Sequence, residues 1–174
     1  MRYPLGLVAI VAGLAVGDWF PDIDQKTGLL LHRSIVTHGP LVPLIVFAAA
    51  SATRSIQIRW FALGVTLGVA IHLSFDLFPS SWSGFALISV PSYGWTASWF
   101  SWIWIAISTV ACTYPALRLV RGILDGSLFM LSLVVGFGYI AVGEDALWRP
   151  IVALTVAIVI SLTLVVGRAV SHRS

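Results

Sequence analysis

Charge is what this chain of 174 residues has least of: Asp, Glu, Lys and Arg make up only 10% of it. Soluble domains carry about a quarter of their residues as charge, so a water-soluble globule is a poor fit. Cysteine is nearly absent too. Cys112 stands alone inside an apolar run, which excludes an intrachain disulfide and a thiolate-based structural zinc site. Alternation of apolar and polar residues is missing from the hydrophobic runs, which argues against a membrane β-barrel. The net charge is +3, yet no clustered basic stripe accompanies it, so a nucleic-acid partner is not expected. Nor is there a long linker, a low-complexity tail or a shift in composition. Residues 1–174 read as one domain.

Apolar residues are what is there. They account for 59% of the chain, and the mean hydropathy is +0.97. Hydrophobic segments fall at about 3–20, 38–53, 60–78, 97–117, 127–142 and 150–167. Several approach the ~20 residues that a helix needs to cross a bilayer. Arg2 before the first run and Ala15-Val16-Gly17 at its end resemble a secretory signal, but the run reads as the first membrane helix. The expectation is an all-α, polytopic membrane helix bundle of about six transmembrane helices. The second and fifth segments are short for a span, so one of them is a candidate for a re-entrant or shielded helix. The pairs Gly13 with Gly17 and Gly64 with Gly68 have the spacing that lets helices pack closely. They leave a homo-oligomer open without specifying one.

Orientation follows from the basic residues. With six crossings, Arg2, Arg54, Arg59, Arg118, Arg121, Arg168 and Arg173 share one side, and Lys26, Arg33 and Arg149 the other. The richer side is cytoplasmic by the positive-inside rule. Both termini are then cytoplasmic, and the stretch 19–40 faces outward with the loop 79–96. That loop has no charge but carries Trp82 and Trp95, with Trp99 just beyond it, as a segment at the headgroup level would.

Chemistry concentrates at this outer end. Asp18 closes the first segment, Asp22 and Asp24 follow it, His32 and Arg33 precede the second, and His38 opens it. His72 and Asp76 lie near the outer end of the third, four residues apart and hence on one helix face. Each has a plain structural alternative. Asp22 and Asp24 could be a solvated loop, His72 with Asp76 an interhelical hydrogen bond, Thr37 a helix N-cap, Asp18 a helix-end cap, and Arg33 a snorkelling side chain. Their coincidence on one side of the membrane favours a shared site, because ionisable groups near a bilayer are costly. Carboxylates with imidazoles supply N and O ligands for one or two divalent ions: zinc foremost, with manganese, magnesium or iron as alternatives. Extended backbone over Asp22-Ile23-Asp24 would aim both carboxylates the same way.

The order of these elements resembles the YdjM-like family of membrane-bound metal-dependent hydrolases. That family shows Pro-Asp-x-Asp, then His-Arg-x-x-Thr-His-Ser, then a helix with His-x-x-x-Asp and a loop with Pro and Gly. The matching stretches here are Pro21-Asp22-Ile23-Asp24, His32 to Gly39, and His72 to Asp76, followed by Pro79, Gly84 and Pro91. The resemblance covers about 17–91. It departs in three places: one extra residue between Arg33 and Thr37, Gln25 where histidine is frequent, and no histidine in the first helix. Asp18 is the candidate substitute for that missing ligand. The family is distantly similar to zinc-dependent phospholipase C and P1-type nucleases, which implies phosphoester hydrolysis.

The expected protein is a membrane-embedded hydrolase of a lipid or lipid-linked phosphate, in a bacterial or archaeal cytoplasmic membrane. Asp22, Asp24, His38, His72 and Asp76 are its expected metal ligands. His32 is a ligand or a support, Arg33 a phosphate anchor and Asp18 a proton acceptor. The loop 79–96 is the expected wall or lid. Two other classes stay open: a small ion transporter or channel, and an inactive subunit whose metal staples the outer loop.

Overall fold

A computed structural model of the chain describes residues 2–27, 30–78, 87–142 and 147–171, with the side chains of 2, 3, 27 and 169 left aside. It is built from helices: α1 (Arg2–Trp19), α2 (Ile23–Thr27), α3 (Leu41–Ser51), α4 (Ile56–Asp76), α5 (Ser98–Leu119), α6 (Ile123–Ile140) and α7 (Trp148–Ser171). Between α4 and α5 sits one small antiparallel hairpin, β1 (Ser89–Val90) with β2 (Gly94–Trp95). Ser92 and Gly94 take positive φ at its turn, a conformation that glycine adopts without strain.

Among the described residues, four helices are long and apolar enough to cross a membrane: α4, α5, α6 and residues 148–168 of α7. The apolar parts of α1 (Pro4–Trp19) and α3 (Leu41–Ser51) are shorter. The expected fifth segment is therefore long enough after all, because its helix begins earlier, at Ile123. The second starts at Leu41 rather than near His38, since Gly39-Pro40 and the contacts of His38 hold the preceding stretch out of the helix.

Helix α4 is the axis of the fold. It begins at Ser55, whose hydroxyl accepts from the Ile58 amide, an N-cap of the usual kind. Most of its length is buried, including Leu63, Leu67, Val69, Ala70 and Ile71. Helix α1 lies parallel to it at very close approach. A Cβ added at Gly13 or Gly17 would collide with the backbone of Phe61 or Val65, and one at Gly64 or Gly68 with the backbone of α1. The small-residue spacings of the sequence are thus the two halves of one seam. Gly136 of α6 meets Ile71 and Leu14, and Phe137 packs on Phe75 with ring centroids 4.8 Å apart. Helices α1, α4 and α6 consequently run one way. The chain returns through α3, α5 and α7, with Ser161 near Val110 and Arg168 on Tyr114 fixing α7 alongside α5.

Asp125 fastens the end where α4 starts. Its carboxylate accepts from Arg59 at 3.1 Å, from the Trp60 indole at 2.8 Å and from the Arg121 amide at 2.9 Å. The other end of α4 carries His72 and Asp76.

Candidate metal centre

The site end is assembled by strapping the stretch after α1 onto the bundle. Ser34 bridges Ser89, with Ile35 N–H donating to Ser89 O (2.8 Å) and Ser89 N–H to Arg33 O (2.9 Å). Trp104 of α5 donates its indole N–H to His38 O at 2.8 Å. Arg33 takes φ 57° to make this turn, a left-handed conformation that costs a non-glycine residue about 1–2 kcal/mol. These contacts drive His38 fully into the interior, beside α4.

There the polar atoms converge. His38 Nε2 is 3.3 Å from Asp76 Oδ2, and His72 Nε2 is 3.5 Å from the same oxygen and 3.9 Å from Asp22 Oδ1. Asp22, His38 and His72 each offer a ligand atom within 4.8 Å of the others, so this cluster could hold a metal ion. Ligand atoms arranged tetrahedrally at ~2.0–2.1 Å from one zinc lie roughly 3.3 Å apart, close to the spacing of His38, His72 and Asp76. Two of these atoms, His38 Nε2 and Asp76 Oδ2, are buried and make no hydrogen bond. Buried polar atoms rarely stay unsatisfied without a reason, and a shared cation is a direct one.

His38 and His72 each have a carboxylate on the opposite nitrogen. Asp24 Oδ2 lies 3.4 Å from His38 Nδ1, and Asp18 Oδ1 lies 3.7 Å from His72 Nδ1. Thr37 Oγ1 donates to Asp24 at 2.7 Å and sits 3.1 Å from His38 Nδ1. With its one proton directed to the carboxylate, the hydroxyl accepts from the ring, so Nδ1 carries the hydrogen and Nε2 presents its lone pair to the cluster. Asp24 itself is buried and also accepts from the Ser34 amide at 2.8 Å. Burial alone would raise its carboxyl; the hydrogen bonds from His38, Thr37 and Ser34 outweigh that and hold it well below the usual carboxylate range.

Residues 23–27 form α2 rather than an extended segment. Helical backbone rotates neighbouring side chains apart, so Asp22 and Asp24 do not point the same way. Asp22 turns to His72 and accepts from Gln25 at 2.7 Å, while Asp24 turns inward to His38. His32 stands at the edge, 3.5 Å from Asp24 Oδ1. Arg33 reaches Asp76 Oδ1 at 3.2 Å, which leaves Oδ2 as the oxygen facing the histidines. Thr37 does not cap α3, whose N-cap is Pro40; its hydroxyl serves Asp24 and His38 instead. Ser34, Ser89 and Trp104 were not expected at the site, and no local motif marks them. Of the expected lid, Pro79, Trp82 and Gly84 lie outside the described residues, as does Arg173 of the basic residues counted for orientation. The described part forms the hairpin, with Trp95 and, at the start of α5, Trp99 exposed.

Comparison with protein-family models, with curated proteins and with solved structures finds no match.

Proposed function

We propose that the chain is a membrane-embedded, metal-dependent hydrolase of a lipid or lipid-linked phosphoester. The observation that carries this reading is the meeting of His38 Nε2, His72 Nε2 and Asp76 Oδ2 within 3.5 Å of one another along two edges, with Asp22 adjoining. The proposed ligands are Asp22, His38, His72 and Asp76, with zinc the first candidate for this N and O donor set. Asp24, expected among the ligands, suits a supporting role: it fixes the ring of His38 from behind. Asp18 does the same for His72 and remains the candidate proton acceptor, being partly exposed. Arg33 holds one oxygen of Asp76 and so aims the other. When bound, a divalent ion would acidify a water and polarise a phosphoester oxygen.

Six crossings with cytoplasmic termini are part of the same proposal. Alternating directions support it, since the chain covers the height of the bundle between His38 and Ser55 even though α3 is only 11 residues long. Arg59 and Arg121 gather with Asp125 at the end opposite the site, in keeping with a cytoplasmic face there. A conducting path is disfavoured: between Trp60 and His72, α4 has no ionisable side chain, whereas ion pathways place polar groups at several depths.

Metal analysis of the purified protein tests the centre. Asp22→Ala and His72→Ala should each lose bound zinc, and retention of full metal in both would refute it. Release of phosphate from a panel of phosphatidate and lipid-linked phosphates then tests turnover. A zinc-replete protein that cleaves none of them would leave the metal as a staple for the outer loop.

A further inference from the structure

The site does not end at the proposed ligands. Helices α1 and α6 both pack on α4 but leave between them an open groove of about 920 Å³. Val11 and Ala15 of α1 form one wall, and Val135 and Tyr139 of α6 the other. At one end the lining turns polar, with Asp18, Asp22 and His72. From Val11 to Asp18 the groove follows α1 for about 10 Å, most of the ~15 Å depth of one leaflet's hydrocarbon. Its volume lies in the upper part of the range of small-ligand sites, roughly 300–1,000 Å³.

A second groove offers a comparison. It lies among α3, α5 and α7, has about 490 Å³, and is lined by Leu44, Ile107 and Ile160 among others. That one is apolar almost throughout and reaches none of the clustered acids or histidines. General contact with lipid would fill both alike. Of these two, the α1–α6 groove is the one that joins an apolar channel to a candidate cation site, and that join matches an amphiphile with a hydrocarbon tail and an anionic head.

We propose that the α1–α6 groove is the lateral entry and tail-binding site for one hydrocarbon chain of a bilayer phospholipid, whose phosphate head group reaches the Asp22–His72 end. This rests on the metal reading above, because the cation supplies the attraction for phosphate that the aspartates alone would oppose. Side chains of both walls are exposed, Val11 at 66% and Val135 at 55%, so larger residues can be introduced there without invading the core.

The test uses the zinc-loaded full chain in dodecyl maltoside micelles with phosphatidate carrying a diazirine in mid-chain, and the matching phosphatidylcholine probe. After irradiation, labelled peptides are mapped by mass spectrometry. Phosphatidate should label residues 11–16 and 135–142 several-fold more than the α5–α7 groove, and more than phosphatidylcholine does. Ala15→Phe and Val135→Phe, one from each wall, should each reduce that labelling several-fold while zinc content and labelling of the second groove stay unchanged. Equal labelling of both grooves, or labelling that survives both phenylalanines, would overturn the proposal. Competition by excess glycerol phosphate as effective as that by unlabelled phosphatidate would also overturn it, since the tail would then contribute nothing. Should Asp22→Ala and His72→Ala keep their zinc while the wall variants behave as expected, the metal centre is wrong and the head-group placement falls with it, while the tail-binding groove stands.

Discussion

Asp24→Asn separates a metal ligand from a residue that aims one. Asp24 contacts the cluster only through His38: its Oδ2 is 3.4 Å from Nδ1, on the far side of the ring from the Nε2 that faces Asp76. Asparagine keeps the shape and an oxygen for the Ser34 amide and the Thr37 hydroxyl, now at 2.8 and 2.7 Å, but removes the charge. Loss of such outer support typically weakens metal affinity ~10–100-fold, or about 1.4–2.7 kcal/mol. Zinc competition against a chromophoric chelator should therefore show a Kd raised within that range, with one zinc still bound at saturation. Asp22→Ala, which deletes a proposed ligand, should be much worse. If Asp24→Asn abolishes binding as completely as Asp22→Ala, Asp24 ligates the metal directly. If the affinity does not change at all, the support of His38 is wrong. Asp24→Ala is the less useful variant, because it strands the Ser34 and Thr37 donors at about 1–3 kcal/mol each and mixes folding with binding.

Further outcomes follow from the same contacts. The carboxyl of Asp24 is held below its unfolded value of ~3.9, so its stabilisation is fully present above that pH and fades as pH falls through the folded value. The stability gap between the native chain and Asp24→Asn should accordingly narrow only below about pH 4 in denaturant titrations. Gly13→Leu or Gly64→Leu drives a side chain into the facing backbone and should lower the thermal midpoint, at a cost of at least ~1–3 kcal/mol, whereas Gly138→Leu, with open space around it, should not. Asp125→Ala removes the acceptor shared by Arg59, Trp60 and Arg121; a loss of about 3–5 kcal/mol in stability is expected, with zinc stoichiometry retained. Zinc affinity should fall between pH 8 and pH 6, because protons compete for the imidazole nitrogens; an affinity that is flat over this range would argue against histidine ligation.

How much of the fold could be read in advance depended on how local its causes are. Apolar runs mark the helices because hydrophobicity is a property of each segment alone. Gly13, Gly17, Gly64 and Gly68 were legible as close-packing positions for the same reason, although not that they face one another. The helix of residues 23–27 was missed: Pro21-Asp22-Ile23-Asp24 is too short to announce its own conformation, and the neighbours that settle it, Ser34, Thr37 and His38, lie 10 to 14 residues on. The different fates of Asp22 and Asp24 follow from that helix.

The sequence by itself determined that this chain is a bundle of apolar helices with four of its seven acids and three of its four histidines gathered toward one end, because composition and chain order suffice for both. Which nitrogen of each histidine faces the cluster, which aspartates stand behind the rings, and that a groove between α1 and α6 runs into the polar end were decided only by the tertiary structure. Those features are distances between residues far apart in the chain. They are set by the α1–α4 glycine seam and by the strap from Ser34 to Ser89 and Trp104, and nothing local to His38, His72 or Asp76 encodes them.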